Sequence, residues 1–332
     1  MIDEKDTYVD EWLASFASTD EILARPDEEE DWLIRGLLRP TTYMIVFGKE
    51  GLGKSRILYQ LAKSFSDGAP WLGFEVCARG NVLFLEADMA PKESKAIIRD
   101  GHAAGFHAPN AFFPTQFGFI DVLQHDGAEV LRGLQERLNP RVVVVDTATD
   151  VFTSGSGDNI NEPIRDAVRA FRVAFPNAGI IFVLHERKTS QFLQAKGVED
   201  EDAALGGGEW GRKASGVLRL KGKNETQVEV QVRKTRDVVP FRAITLTRDD
   251  FGFFHIAREN MSCDHALALW PNLPNLKMPS EVSISSVCRS IEDASEGKLK
   301  LDALRKSYQR AKRKKVFFPW EKGLGHDSGW DK

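Results

Sequence analysis

Residues 48–55 read Gly48-Lys49-Glu50-Gly51-Leu52-Gly53-Lys54-Ser55, and the residues on either side complete the pattern. The octapeptide matches G-x-x-x-x-G-K-S, the signature of a loop that cradles phosphate groups. An apolar run typical of a strand, residues 42–47, precedes it, and a run typical of a helix, residues 56–62, follows it. Because strand, loop and helix occur in the order that the motif requires, the sequence predicts a nucleoside triphosphate as ligand.

Each residue type in this loop has a chemical role in binding a nucleotide. Its glycines let successive backbone N–H groups turn toward a β-phosphate, which lies at the positive amino terminus of the following helix. Lys54 reaches the β- and γ-phosphates, and the Ser55 hydroxyl is a ligand for Mg²⁺. The predicted nucleotide-binding residues are the loop and the residue after it: Gly48, Lys49, Glu50, Gly51, Leu52, Gly53, Lys54, Ser55 and Arg56.

A second nucleotide signal is the run Arg-Val-Val-Val-Val-Asp at residues 141–146. It predicts a buried strand that ends in the carboxylate of Asp146. Oxygen ligands suit Mg²⁺, which usually keeps several of its waters. We therefore expect Asp146 to hold the ion through water, with Ser55 as the second metal-binding residue.

Charge is unevenly distributed along the chain. The net charge of all 332 residues is −4, but residues 1–31 contain twelve Asp and Glu against two Lys and Arg, so the remainder is positive. Between Lys298 and Lys315 nine basic residues accompany one acid, Asp302. An acidic start and a basic end favour a nucleic-acid partner and an arm that repels it or docks a subunit, although either charge run also fits a solvated surface.

Several protein classes are disfavoured. The chain has no apolar run of about 18 residues and no basic-then-apolar leader, so we expect neither a membrane partner nor secretion, and place the protein in the cytoplasm. The three cysteines, Cys77, Cys263 and Cys288, are scattered and odd in number. This pattern argues against a disulfide framework or a zinc site.

Apolar runs alternate with amphipathic segments after the loop, which predicts an α/β fold with a mostly parallel central sheet. The last three predicted strands follow one another without helices between them, so we expect antiparallel hairpins at one sheet edge. The predicted strands after the loop are 81–88, 141–147, 179–185, 217–221, 228–234 and 243–247.

The order of these motifs resembles that of the RecA-like P-loop ATPases of the hexameric replicative helicase branch, the group that includes plasmid RepA and the DnaB-type helicases. Residues 31–38, before the loop, and residues 68–73, after its helix, are also similar to the segments usual in that family. The resemblance covers about residues 31–256. It implies a RecA-like core, ATP and Mg²⁺ as cofactors, and a ring of identical subunits.

The resemblance also implies a catalytic carboxylate at the end of the predicted strand 81–88. Aligned on the apolar run, the family's glutamate falls at Asp88, and Glu86 is the competing candidate. Aspartate is one methylene shorter, so it orients an attacking water only if the backbone comes closer or a second water relays the proton.

Two further roles come from the same resemblance. His185, at the end of the strand 179–185, falls where the family places a sensor of the γ-phosphate. Lys234 and Arg236 match a K-x-R element that DnaB-type helicases insert into the neighbouring subunit's nucleotide. On a strand, a spacing of two residues puts both cations on one face. A charge pair on an edge strand that deters aggregation is the alternative interpretation.

The segment 187–213 is long and lacks periodicity, which is typical of functional or disordered loops. Basic residues neutralise phosphates and an aromatic side chain stacks on bases when a strand is bound without sequence preference. The loop 149–160 is a second candidate for this role, and both loops also fit flexible surface excursions. The candidate DNA-binding residues are Arg187, Lys188, Lys196, Trp210, Arg212 and Lys213.

Three segments are therefore expected: an acidic amino-terminal arm (1–35), a RecA-like ATPase domain (36–257), and a small helical carboxy-terminal appendage with a tail (258–332). Helical periodicity marks residues 283–294 and 299–315 in the appendage. The resemblance implies a motor on single-stranded DNA in plasmid or phage replication, with a primase or an initiator as partner. Because only about 47 residues precede the phosphate loop, we expect no fused primase domain. A recombinase and a KaiC-like regulatory ATPase without unwinding activity are the alternatives.

Overall fold

The computed structural model describes residues 16–24, 31–116, 121–148, 161–186, 211, 213–236, 242–257, 263, 266–267, 270, 283–295 and 298–313. The chain forms two compact units, residues 1–31 and residues 32–332. In the first unit, helix α1 (Thr19–Ala24) begins with a capping arrangement. The amide and hydroxyl of Ser18 donate to the Glu21 carboxylate, and the Glu21 amide donates to the Ser18 hydroxyl.

The second unit is built on a nine-stranded sheet in the order β3-β2-β4-β5-β1-β6-β7-β8-β9. Strands β1 to β6 run parallel to their neighbours, and β6 to β9 are joined by antiparallel pairs. The strands are β1 (Tyr43–Gly48), β2 (Val82–Glu86), β3 (Ala111–Phe112), β4 (Val142–Asp146), β5 (Gly179–His185), β6 (Gly216–Gly222), β7 (Gln227–Lys234), β8 (Ala243–Arg248) and β9 (Phe254–Ile256).

Six described helices accompany this sheet: α2 (Lys54–Asp67), α3 (Pro91–Ala103), α4 (His125–Leu138), α5 (Asn161–Ala174), α6 (Ile284–Ala294) and α7 (Leu301–Arg313). Helix α2 is followed by Gly68, whose φ of 75° is in the left-handed region that commonly terminates helices. Helix α6 is capped at its amino end by Ser283, whose side chain accepts from the Ser286 amide. Among the described residues, no helix is long and apolar enough to cross a membrane.

The predicted fold is confirmed, including the mostly parallel sheet and the antiparallel edge. Strand β6 belongs to both regions, since it pairs in parallel with β1 and antiparallel with β7. The short strands β3 and β9 were not predicted. With two and three residues they are too short to display the period-two alternation by which strands are recognised.

Alternation along β1 divides the core between the two faces of the sheet. Met44 and Val46 lie in one apolar cluster, whereas Tyr43, Ile45 and Phe47 lie in the other. The first cluster also takes buried residues from α2, α6 and α7, and the second takes them from α4 and α5. Buried residues of the predicted carboxy-terminal appendage thus share a core with the phosphate-loop helix, while the three predicted segment boundaries stay a prediction.

Candidate nucleotide-binding site

The candidate site lies at the carboxyl ends of the parallel strands, which meet at one edge of the sheet. The phosphate loop leaves β1, and Glu86, Asp146 and His185 are the last residues of β2, β4 and β5. Strand β5 lies between β1 and β4. The fold therefore collects residues from four strands that are far apart in the sequence, in the crevice where open α/β sheets bind ligands.

Packing against the antiparallel edge explains two of the loop glycines. A Cβ on Gly53 would lie 2.6 Å from the Phe254 ring, and one on Gly48 would lie 2.7 Å from the Leu220 carbonyl oxygen. A Cβ on Gly51 would meet nothing within 4 Å. Gly51 and Gly53 both have positive φ, 75° and 86°, which glycine adopts without steric cost.

Lys54 is the first residue of α2 and is 6% exposed. Its Nζ donates to the carbonyl oxygens of Gly48 at 3.1 Å and Lys49 at 3.2 Å. Burial lowers the pKa of Lys54, an effect that the nearby carboxylate of Asp146 opposes. The ammonium group is therefore held against the loop, in the position that the motif predicts for a phosphate-binding lysine.

Ser55 and Asp146 meet directly. The Ser55 hydroxyl donates to Asp146 Oδ2 at 2.6 Å. Burial raises the pKa of Asp146, and the hydrogen bond from Ser55 and the charge of Lys54 act in the opposite direction. A hydroxyl and a carboxylate side by side are hard oxygen donors, so the pair predicted to hold Mg²⁺ fits that ion chemically.

Glu86 lies beside this pair, in register with Asp146 on the neighbouring strand. It is 7% exposed, and its Oε2 has no hydrogen-bond partner among the described residues. Desolvation, reinforced by the charges of Asp146 and Asp88, raises the pKa of Glu86 to about 9. Its carboxyl group therefore carries a proton at neutral pH.

Asp88 and His185 come together across the end of β4. His185 Nε2 lies 3.6 Å from Asp88 Oδ2, and the two side chains are 42% and 65% exposed, respectively. Asp88 follows the end of β2, so its side chain reaches solvent at the mouth of the site, whereas Glu86 lies inside the sheet. The two candidate carboxylates therefore occupy different environments.

A cavity of about 280 Å³ joins these residues. Gly48, Lys49 and Leu52 belong to the loop but do not line the cavity, and Leu52 packs against the first apolar cluster. Arg56 lines it, although its guanidinium donates to Asp100 and to the Phe251 carbonyl. The lining residues are Glu50, Gly51, Gly53, Lys54, Ser55, Arg56, Glu86, Asp88, Met89, Ile97, Asp146, His185 and Arg248.

Three lining residues were missed by the sequence reasoning: Met89, Ile97 and Arg248. Arg248, the last residue of β8, is the most informative of them. Its Nη2 donates to the Gly51 carbonyl at 3.1 Å, and its guanidinium lies 5.2 Å from the Phe254 ring centroid. No local motif marks this arginine, because its partner in the loop precedes it by 197 residues.

Lys234 lies near the amino-terminal ends of the parallel strands, whereas the phosphate loop lies at their carboxyl ends. It pairs with Val217 on β6, which in turn pairs with Ile45 near the start of β1. Its Nζ donates to the Gly211 carbonyl at 2.7 Å. Burial lowers the pKa of Lys234, and the nearby charge of Arg236 lowers it further.

Arg236 differs from the strand geometry expected of it. Strand β7 ends at Lys234, and the hydroxyl of Thr235 donates to the Gly36 carbonyl. Arg236 is exposed two residues beyond the strand end, so alternation along a strand does not fix its direction. The charge effect on Lys234 nevertheless shows that the two cations lie near each other.

Most of the candidate DNA-binding residues lie outside the described part of the chain. These are Arg187, Lys188, Lys196, Trp210 and Arg212, together with residues 149–160 of the other loop. Lys213 is described and exposed. Next to His185, Glu186 forms an ion pair with Arg219 at 2.5 Å, which ties the end of β5 to β6.

Comparison with known proteins places the chain in a family. The model of the AAA domain matches residues 11–191, more than half of the chain. No curated protein matches the sequence significantly. The matched segment contains the phosphate loop, Asp146 and His185, and it ends before Lys234 and Arg236.

Solved structures with a similar fold include the ATPase domain of G40P, at 16% identity and a TM-score of 0.49, covering 74% of this chain and 97% of that one. A DnaB-like replicative helicase, described with its interactions with primase, has 15% identity and a TM-score of 0.49, covering 76% and 68%. A KaiC-like protein from Pyrococcus horikoshii OT3 has 13% identity and a TM-score of 0.44, covering 68% and 93%. The AAA-domain match, the phosphate loop and the strand order around it make this protein a member of the AAA-domain family of P-loop ATPases, with a RecA-like core.

Proposed function

We propose that the protein is an ATP-driven motor that assembles as a ring of six copies and moves on single-stranded DNA. The observation that carries this proposal is that the charged groups lie at opposite ends of the strands. Lys54, Ser55 and Asp146 surround the cavity at the carboxyl ends of the parallel strands, whereas Lys234 lies near their amino-terminal ends. Such a division suits a site completed by a second subunit.

The first half of the proposed site binds the nucleotide. Lys54 would contact the β- and γ-phosphates, and the loop N–H groups would surround the β-phosphate. Ser55 and Asp146 would hold Mg²⁺, which neutralises charge on the phosphate oxygens when it is bound with ATP. The 2.6 Å contact between these two side chains supports this assignment.

Asp88 is the proposed general base. Burial and the neighbouring carboxylates raise the pKa of Glu86 to about 9, which favours its protonated form and makes it the weaker candidate for the base. Asp88 is exposed and lines the cavity, so its carboxylate would be accessible to an attacking water. His185, 3.6 Å away, would sense the γ-phosphate from the same position and pass its loss to the loop that follows β5.

Lys234 and Arg236 are proposed to act on the neighbouring subunit's nucleotide. Lys234 is displaced from Gly48 by about 10 Å along the strands and by about the same distance across them, as the strand spacings require. Its own phosphate loop is therefore out of reach. A cation inserted from a neighbour stabilises the charge of the transition state and makes hydrolysis depend on assembly.

DNA would contact the loops 149–160 and 187–213, with Lys213 as their described cation, and a primase or an initiator would be the replication partner. The alternatives are a recombinase, which forms filaments on DNA, and a KaiC-like regulatory ATPase, which needs no DNA. The resemblance of Lys234 and Arg236 to the K-x-R element favours the helicase.

A forked-duplex unwinding assay with wild type and Lys54→Ala tests the proposal. We expect ATP-dependent unwinding by wild type only, hydrolysis stimulated by single-stranded DNA, and closed rings in mass photometry. Lys92→Ala, which removes an exposed lysine of α3, is the matched control and should unwind like wild type. Hydrolysis and assembly without any DNA binding would refute the motor and favour the regulatory ATPase.

A further inference from the structure

Strands β8 and β9 touch the phosphate loop at two points. Arg248 Nη2 donates to the Gly51 carbonyl at 3.1 Å. The Phe254 ring lies so close to Gly53 that a Cβ there would be 2.6 Å from it. Strands β8 and β9, which carry none of the predicted nucleotide-binding residues, therefore form one wall of the loop.

Besides its bond to Gly51, Arg248 makes two contacts that hold it in place. Its backbone N–H donates to the Thr226 carbonyl at 2.7 Å, and its guanidinium faces the Phe254 ring at 5.2 Å. Phe254 is fixed in turn by Gln60 of α2, whose amide donates to the Phe254 carbonyl at 2.8 Å and accepts from its N–H at 3.2 Å. Because α2 begins at the phosphate loop, Gln60 connects Phe254 and Arg248 to the helix that carries the loop.

The bond to Gly51 has a direct consequence for the loop. The carbonyl of one residue and the N–H of the next point in opposite directions across the planar peptide. By holding the Gly51 carbonyl, Arg248 fixes the direction of the Leu52 N–H. A Gly51 side chain would meet nothing, so among the described residues no packing replaces this restraint on the flexible glycine.

We propose that Arg248 is a positioning residue that keeps the phosphate loop in its nucleotide-binding shape from within the same chain. Arg248 Nε is buried and has no hydrogen-bond partner among the described residues, and the side chain lines the cavity. The proposal rests on the proposed binding of ATP. Two cations of the antiparallel strands then act in different subunits. Lys234 acts on the neighbouring subunit's nucleotide, whereas Arg248 acts on the phosphate loop of its own chain.

The test is the affinity for fluorescent ATP and ADP analogues with Mg²⁺, together with the kcat and KM of hydrolysis. Arg248→Met keeps an apolar stem against Phe254 and removes the donor. Loss of a charged hydrogen bond predicts a roughly tenfold rise in Kd for both nucleotides. The value of kcat at saturating ATP should stay within about twofold, because a filled loop is held by the phosphates themselves.

Two further variants keep the result interpretable. Arg248→Lys, which retains a donor, should recover part of the affinity, and Arg242→Ala, which removes an exposed arginine near the other end of β8, should bind like wild type. If wild type binds both nucleotides and Arg248→Met binds them with unchanged Kd values, Arg248 does not position the loop, and the proposed binding of ATP is unaffected. A loss confined to ATP also overturns the inference, because it assigns Arg248 to the γ-phosphate. Failure of wild type to bind nucleotide overturns the proposed function together with the inference.

Discussion

The parallel and antiparallel regions of the sheet use their strand ends differently. In the parallel region, β1 and β4 are buried along their whole length and end at the same edge, where Asp146 meets the loop. In the antiparallel region, β7 alternates between buried and partly exposed residues and ends at the opposite edge, while β8 returns to the loop. Parallel strands thus build one site, whereas antiparallel strands can serve two places.

We expect the largest effect on hydrolysis from Lys234 and Arg236, the two cations at the end of β7. Replacing both with alanine should reduce hydrolysis about 10³-fold or more, the range for a transition-state finger, without changing nucleotide affinity. A mixture of this variant with Lys54→Ala should regain hydrolysis, because some interfaces then combine an intact loop with an intact finger. The measurement is phosphate release from each variant and from the mixture.

Arg242→Ala is the control for this experiment, since it removes an exposed cation near the same edge of the sheet. It should hydrolyse ATP at the wild-type rate. If the two variants are inactive alone and remain inactive when mixed, Lys234 and Arg236 act on the nucleotide of their own subunit or on no nucleotide.

Within the parallel region, replacing Asp88 and replacing Glu86 should lower the rate of hydrolysis to very different extents. Asp88→Asn should lower kcat by about 10² to 10⁴, the contribution of a general base, and leave nucleotide affinity intact. Glu86→Gln, which mimics a carboxyl group that is already protonated, should retain much more of the activity. Single-turnover hydrolysis with both variants measures this difference, and a reversed order would identify Glu86 as the base.

The buried Glu86 should also give the nucleotide-free protein a pH-dependent stability. Between its ordinary pKa of 4.5 and its raised pKa of about 9, the unfolded chain releases a proton that the folded chain keeps. Stability is therefore lost as pH rises through this window, by about 1.36 kcal/mol for each unit of difference that is realised. Glu86→Gln lacks this loss, so its Tm relative to wild type should rise between pH 5 and pH 8.5 by at least about 2–4 °C.

Thermal melts of both proteins at the two pH values provide the measurement. Glu136→Gln, which changes an exposed carboxylate on α4, should show no such divergence. A Tm difference that is the same at pH 5 and pH 8.5 would contradict the proton held by Glu86.

A last prediction concerns the contact between the two regions. Alanine at Gly51 or Gly53 has the cost of a left-handed conformation, about 1–2 kcal/mol. At Gly53 it also meets the Phe254 ring, so Gly53→Ala should be less stable than Gly51→Ala by a further 1–3 kcal/mol or so, the range for overpacking. Denaturant unfolding of both variants tests this, and Phe254→Leu should reduce the difference between them. Equal stabilities would mean that β9 does not constrain the loop.

Prediction from the sequence succeeded where the signal was local. The phosphate loop and the strand that ends in Asp146 are contiguous patterns, so their positions in the fold followed from a few residues each. The strand 179–185 was predicted with the bounds that the structure gives to β5. Arg248 was missed because its contact with Gly51 depends on the return of β8 to the loop, which no neighbouring residue announces.

The sequence by itself determined the loop, its ligand class and the alternation of strands and helices, because these depend on backbone conformation and side-chain periodicity over short stretches. Only the tertiary structure decided that Glu86 is buried while Asp88 is exposed, that Asp88 lies near His185, and that Lys234 and the loop are at opposite edges. Burial and proximity depend on which strands become neighbours. That choice is made by the packing of the whole sheet, since residues far apart in the chain bury their apolar faces together.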